Sequence, residues 1–316
     1  MADSGNSANW ERQVLEKLTL GALQEQRRAR HWSIFFKLLG FGYLFLVLFL
    51  IMGWVGKGEV ALAGKHTALV DLQGVISADE ASSDRIIAGL QDAFKDKDTQ
   101  GVILRINSPG GSPVQSGYIN DEIRRLRAKY PKIPLYAVVE DICASGGYYV
   151  AVAADKIFVN KASIVGSVGV LMDGFGFTGT MEKFGVERRL LTAGKNKGFL
   201  DPFSPVVPAQ QDYAQQMLNE IHQQFIGVVR EGRGKRLKET PDMFSGLVWS
   251  GEQSIKLGLA DALGSADYVA REVIKAENIV DYTPHEGIAE RFAKRFGAAA
   301  AKALVTPVLQ SGVSLH

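Results

Sequence analysis

From Leu38 to Val55 the chain is uncharged and almost wholly apolar, LLGFGYLFLVLFLIMGWV. Those eighteen residues, at about 1.5 Å each in a helix, reach about 27 Å, close to the hydrocarbon thickness of a bilayer. Phe41, Tyr43 and Trp54 lie toward the ends, where interfacial aromatics anchor a span. The preceding residues are polar, with Trp10, Val14, Leu18 and Ala22 at helical spacing. This lead is longer than the leading region of a cleaved signal peptide, although Ala61-Leu62-Ala63 has the small-x-small form of a cleavage site. Arg27, Arg28, Arg30 and Lys37 precede the apolar run, and Lys57 and Lys65 follow it. That bias predicts a cytoplasmic N-terminus and an extracytoplasmic remainder.

Beyond residue 56 the pattern becomes short β-branched runs alternating with amphipathic stretches. Thr67–Val75, Gly101–Asn107, Ile133–Val139 and Lys156–Val159 read as strands. Between the first two, Ile86/Ile87, Leu90 and Phe94 share one helical face. Ser112 and Pro113 mark the start of a second helix, as N-cap and first helical residue, with Ile119, Ile123 and Leu126 turned inward. Tyr149–Ala154 reads as a buried helix. The alternation predicts a mainly parallel α/β sheet with flanking helices. Ile164–Met172 is strand-like but broken by Gly166 and Gly169, and residues 183–200 mix strand and loop. A helix over Ala209–Glu231 carries Tyr213, Met217, Ile221, Phe225 and Val228/Val229 on one stripe, read as core packing. Ser250 caps a further helix that Gly258 stops, and Ala266–Ala276 is helical. Gly287–Leu304 is Ala-rich and amphipathic. The expected organisation is a cytoplasmic segment over 1–37, an anchor over 38–55, a main domain over 56–280 and a helical tail over 281–316.

Composition narrows the function. Hydrophobic residues make up 46% of the 316, enough for a sizeable core. A net charge of +2, with no basic stripe interleaved with aromatics, gives no case for nucleic acid. The single cysteine, Cys143, excludes an intramolecular disulfide and reads as a small buried hydrophobe. His31, His66, His222, His285 and His316 are scattered without metal-ligand spacing, so neither a metal nor another cofactor is expected.

Three glycine-bearing turns carry the candidate chemistry: Pro109-Gly110-Gly111, Ser145-Gly146-Gly147 and Gly166-Ser167-Val168-Gly169. The first two each end a predicted parallel strand and open a helix, the place where sites in such sheets lie. Free amides converging there make an oxyanion hole, with Ser145 beside it as nucleophile. The Gly-x-Ser-x-Gly elbow is absent, since Cys143 stands at its first glycine. A serine nucleophile needs a base. His222 and His285 have no recognisable triad context, whereas Ala193–Pro205 sets Lys195 and Lys197 in a loop bounded by glycine and proline. A lysine acts as a base only when neutral, which apolar surroundings favour. Phe199, Leu200 and Phe203 are at hand to supply them.

These motifs, Asn107-Ser108-Pro109-Gly110-Gly111, Ala144-Ser145-Gly146-Gly147-Tyr148-Tyr149, Gly166-Ser167-Val168-Gly169-Val170, and Ala193-Gly194-x-x-Lys197 with Phe203-Ser204-Pro205, occur in order over residues 66–276. In them the chain resembles the signal peptide peptidase A family of bacterial Ser/Lys proteases, in its short form. The resemblance implies a Clp protease/crotonase-like fold after one transmembrane helix. It implies Ser145 as nucleophile, Lys197 as general base, and Ser167 orienting the lysine. The oxyanion hole would be the Gly146 amide with that of Gly110 or Gly111. Lys195 receives no role, and Ala193 replaces a serine found in some members. The implied protein is an endopeptidase anchored in the bacterial inner membrane, its protease domain outside the cytoplasm. Its partners would be membrane lipid and peptide substrates such as signal peptide remnants. Relatives form ring-like homo-oligomers in which serine and lysine come from adjacent subunits. Rival expectations are a catalytically silent anchored scaffold, a crotonase-like acyl-CoA enzyme, and a relative specialised for partners of the stomatin type.

Overall fold

The computed structural model describes residues 4–51 and 64–284. The chain divides into two compact units, one of residues 1–62 with 285–316 and one of residues 63–284. In the first, a single helix α1 (Ser4–Ile51) joins the polar lead to the apolar run. Its stretch Glu25–Phe49 is long and apolar enough to cross a membrane, and Leu38, Phe41 and Phe45 are exposed along it. This stretch begins before the 38–55 expected from composition. Trp54, the Ala61-Leu62-Ala63 sequence and the Gly287–Leu304 segment lie outside the described residues.

The second unit is built on eight strands: β1 (His66–Gln73), β2 (Thr99–Ser108), β3 (Leu135–Ala144), β4 (Lys156–Val159), β5 (Ile164–Gly166), β6 (Val248–Ser250), β7 (Ala262–Leu263) and β8 (Ile279–Asp281). They form one sheet in the order β6-β5-β3-β2-β1-β8, with β4 beside the first half of β3 and β7 beside β4. Every pairing is parallel except β5 with β6. The central strands are apolar on both sides because both faces are covered, as expected of a parallel sheet. Ala68, Val70 and Leu72 join the larger core, while Leu69 alternates to a second cluster with Ile103, Val138, Phe158 and Val269.

The helices covering the larger core follow their sequence signals. In α2 (Ser83–Lys95), Ile86, Leu90 and Phe94 are buried at intervals of one turn. In α3 (Pro113–Lys129), Ser112 accepts from the Gln115 amide, and Ile119, Ile123 and Leu126 face inward. α4 (Gly146–Ala151) is short and almost wholly buried. The long helix α6 (Pro208–Arg233), which follows α5 (Thr178–Lys183), departs from the expected pattern. Phe225 and Val229 pack in the core, but Tyr213 is exposed and Met217 and Ile221 are half-buried, so its stripe is only half a core face. Near its C-terminus the buried Arg233 bonds both oxygens of Asp261, at 2.8 and 3.0 Å. Ser250 caps α7 (Gly251–Lys256), and α8 (Ala266–Tyr268) continues as a wider helical turn over Val269–Ile274.

Two strand expectations need correction. Ile164–Met172 is a strand only as far as Gly166, where φ is +119°. β5 is flanked by β3 and β6, so its backbone has no free edge for an added peptide strand. Residues 183–200 hold no strand, only turns and loop after α5. Their apolar residues, such as Leu191 at 96% exposure, have no facing strand to pair with.

Candidate active site

β2, β3 and β5 end side by side: Ser108 is in register with Cys143, and Ala144 with Gly166. The three glycine-bearing turns therefore converge at the carboxyl ends of adjacent parallel strands. β3 has extra residues opposite Ile106–Ser108. The Asn107 side chain fills the irregularity, accepting from the Ile142 amide at 3.3 Å and donating to Asp141 at 3.1 Å. Cys143, two residues before Ser145, is fully buried, and burial pushes its thiol well above the usual range. It is a core residue, inert as a nucleophile.

Ser145 sits between β3 and α4 with φ +52° and ψ −122°. A residue with a Cβ is strained there by about 1–3 kcal/mol, an outlier typical of functional sites. Two backbone bonds hold it: its amide donates to the Gly166 carbonyl at 2.8 Å, and its carbonyl accepts from the Tyr149 amide at 2.9 Å. The result is a sharp, strained strand-to-helix turn of the shape a nucleophile elbow has, built without that motif's first glycine.

The glycines around Ser145 are required by contact. At Gly110, φ is +103°, and an added Cβ would stand 2.6 Å from the Gly146 nitrogen and 2.7 Å from the Ser145 Cβ. At Gly146, a Cβ would stand 2.5 Å from Ser116 Oγ and 3.2 Å from the Gly111 nitrogen. The Gly111 nitrogen thus lies against Gly146, whose own amide belongs to the first turn of α4, where N–H groups have no intrahelical acceptor. Gly110 is different: it is buried, and its amide donates to Ser108 Oγ at 3.1 Å. Of the glycines named from sequence, Gly111 and Gly146 line the cleft that opens here, and Gly110 lets the two turns touch.

A cleft of about 480 Å³ opens over this point, lined by Ser145, Gly111, Gly146 and Ser167 and walled by Tyr149, Val170, Leu171, Ile221 and Phe225. Ser167 is half-buried, with φ +54° and its amide on the Leu247 carbonyl at 2.7 Å. Lys197 does not line this cleft. It lies in an exposed turn, its amide donating to the Gly194 carbonyl at 3.1 Å, and Lys195 beside it is also exposed. Around that turn Phe177 stacks on Phe203 at 5.3 Å and Phe199 meets Tyr213 edge-on at 5.9 Å. Among the described residues no group of His, Cys, Asp or Glu is arranged to hold a metal.

Several contributors were not singled out from the sequence. Ser108 orients the first glycine turn, and Ser116 backs Gly146. On the α6 stripe Ile221 faces the cleft, and Phe225, packed in the core, also reaches its wall. Their i, i+4 spacing was visible, but nothing local separates a cleft wall from a core face.

The family description Peptidase family S49 fits residues 127–280. A putative protease of Methanocaldococcus jannaschii, MJ0651, is 32% identical over 243 residues, which are 73% of this chain and 77% of that one. A putative signal peptide peptidase SppA of Enterococcus faecium is 28% identical over 71% of this chain and 67% of its own. The Na(+)/H(+) antiporter NhaA of Brucella melitensis is 47% identical over 175 residues, 55% of this chain. The similar stretch spans only 24% of that protein.

Proposed function

The chain belongs to peptidase family S49, with the mainly parallel α/β sheet of the Clp protease and crotonase-like fold, and from that premise we propose that it is a membrane-anchored serine endopeptidase using Ser145 and Lys197. The observation that carries this reading is the strained Ser145 in a cleft with Val170, Leu171, Ile221 and Phe225 among its walls, with Gly111 and Gly146 beside it. Ser145 Oγ attacks the peptide carbonyl while a neutral Lys197 amine takes its proton. The oxyanion of the tetrahedral intermediate is held by the Gly111 and Gly146 amides. The lysine ammonium then protonates the leaving amine, and a water deprotonated by the same lysine hydrolyses the ester. Ser167, on the cleft wall, orients the lysine.

Lys197 reaches Ser145 from a neighbouring copy. Two features support this: Lys197 is exposed and absent from its own chain's cleft, and the same segment exposes Leu171, Phe175, Phe184, Leu191 and Val206. An isolated soluble chain rarely leaves so much apolar surface uncovered. Apolar walls suit hydrophobic segments as substrates, in keeping with remnants of signal peptides and other membrane-derived or unfolded segments. α1 supplies the anchor in the inner membrane, and Arg27, Arg28, Arg30 and Lys37 favour a cytoplasmic N-terminus with the catalytic unit outside.

The test is a serine-directed fluorophosphonate probe on the full chain in detergent. Labelling is expected in the wild type, absent in Ser145→Ala and strongly reduced in Lys197→Ala. A wild type that neither labels nor cleaves a fluorogenic peptide overturns the reading in favour of a silent scaffold. Labelling with full activity in Lys197→Ala overturns the base assignment.

A further inference from the structure

His222, on α6, reaches out of its helix to the turn that carries Ser167. Its Nε2 lies 3.1 Å from the Val168 carbonyl oxygen, and an N–H on that nitrogen donates to it. Both the Nε2–H tautomer and the imidazolium have that donor. The contact completes a set. The Ser167 amide donates to Leu247, the Ser167 carbonyl accepts from the Gly169 amide at 2.9 Å, and the Gly166 carbonyl accepts from Ser145. The Val168 side chain is fully buried. Ser167 has φ +54°, a conformation that a serine keeps only when its surroundings impose it. Among the described residues, His222 is the one side chain that donates a hydrogen bond to residues 166–169, and it comes from the helix whose Ile221 and Phe225 wall the cleft.

We propose that His222 is a positioning residue of the active site: by holding the Val168 carbonyl it fixes the Ser167 turn against α6 and so sets the geometry in which Ser145 is activated. This rests on the peptidase reading above. His222 touches neither Ser145 nor substrate in this role. Its effect passes through the backbone of residues 166–168 to Ser167 and, by the Gly166 carbonyl, to the Ser145 amide.

The experiment compares wild type, His222→Ala, His222→Phe and His222→Gln in the full chain. Activity on a fluorogenic peptide is normalised to the Ser145 labelled by a fluorophosphonate, and thermal unfolding is measured alongside. Losing one positioning hydrogen bond is expected to lower kcat per labelled serine by about ten-fold in the alanine and phenylalanine variants, with KM within about two-fold. His222→Gln, whose amide nitrogen extends to a similar reach, is expected to recover most of the loss. Full kcat per labelled serine in His222→Ala overturns the role of His222 and leaves the peptidase reading intact. Loss in all three variants in step with a fall in Tm also overturns it, because filling the space would then matter and donating the bond would not. A wild type that neither labels nor cleaves overturns both.

Discussion

The amide of Ser145 donates to the carbonyl of Gly166 at 2.8 Å, tying the residue after β3 to the last residue of β5. Both residues have positive φ, +52° and +119°. The bond extends the pairing of Ala144 with Gly166 past the end of the strand. The outward turn at Ser145 is thus held by the sheet as well as by α4, which is how a strained serine persists beside two glycines that offer no side-chain packing.

Gly110→Ala is expected to abolish activity. The added Cβ would meet the Gly146 nitrogen at 2.6 Å and the Ser145 Cβ at 2.7 Å, on a backbone with φ +103°. Neither atom is the end of a flexible side chain, so the turns must separate and the donors diverge. Loss of one oxyanion donor alone costs about 10²–10³ in kcat. Peptide hydrolysis with circular dichroism as a folding control checks this; activity within about three-fold of wild type would contradict the close approach.

Mixing Ser145→Ala with Lys197→Ala tests where the lysine comes from. Each variant alone is expected to be inactive, and co-refolded mixtures are expected to regain activity because some interfaces pair an intact serine with an intact lysine. The measurement is peptide turnover against the mixing ratio, with wild type refolded alongside. No recovery while the wild type refolds to full activity would place both residues in one chain.

The exposed apolar segment gives an independent test of assembly. Leu191 is 96% exposed and Phe184 is 79% exposed, with no core role in the chain itself. Leu191→Asp with Phe184→Ser is expected to leave thermal unfolding of the isolated subunit within about 0.5 kcal/mol of wild type, as for surface substitutions generally. The same variant is expected to lose the oligomer in light scattering and lose peptide turnover with it. A variant that stays active as a monomer would contradict a shared site.

Stability in acid is expected to depend on Asp261. Burial raises its pKa, but the Arg233 guanidinium bonded to both its oxygens, helped by the Ile157 amide and Arg236, outweighs burial and holds the carboxyl below the usual range. A carboxyl whose folded pKa is depressed contributes stability that is complete above its unfolded value, about 3.9. That contribution is lost as pH falls through the folded value. Asp261→Asn leaves Arg233, 1% exposed, as a buried unpaired charge, a change expected to cost about 3–5 kcal/mol at pH 7. The loss is expected to shrink below about pH 4, where the carboxyl takes up its proton in the unfolded chain before it does so in the folded one. Urea unfolding at pH 7 and pH 3 measures both; an equal difference at the two pH values would contradict the linkage.

Much of this molecule is determined locally and is therefore readable from the chain alone. Ile86, Leu90 and Phe94 fall on one helical face whatever surrounds them. Ser112 with Pro113 starts a helix by its own hydrogen bond and fixed φ, and the β-branched runs of β2 and β4 are strands in sequence and in structure. The glycine turns that carry Ser145 and Ser167 were also visible, because a tight turn demands particular residues. What local pattern did not contain is the set of partners. Ile164–Met172 looks like a longer strand than it is, since whether a run stays extended depends on its neighbours, and after Gly166 the Leu247 carbonyl and His222 hold the backbone in a turn. The stripe on α6 has one period and two fates: Phe225 and Val229 enter the core while Ile221 faces the cleft, a division set by where the helix crosses the sheet. Nor does local pattern tell Gly110 from Gly111: Gly110 is buried with its amide on Ser108 Oγ, while Gly111 lines the cleft. Periodicity and turn chemistry act over a few residues and are written in the sequence; the meeting of strand ends, donors and cleft walls across more than a hundred residues exists only once the sheet has assembled.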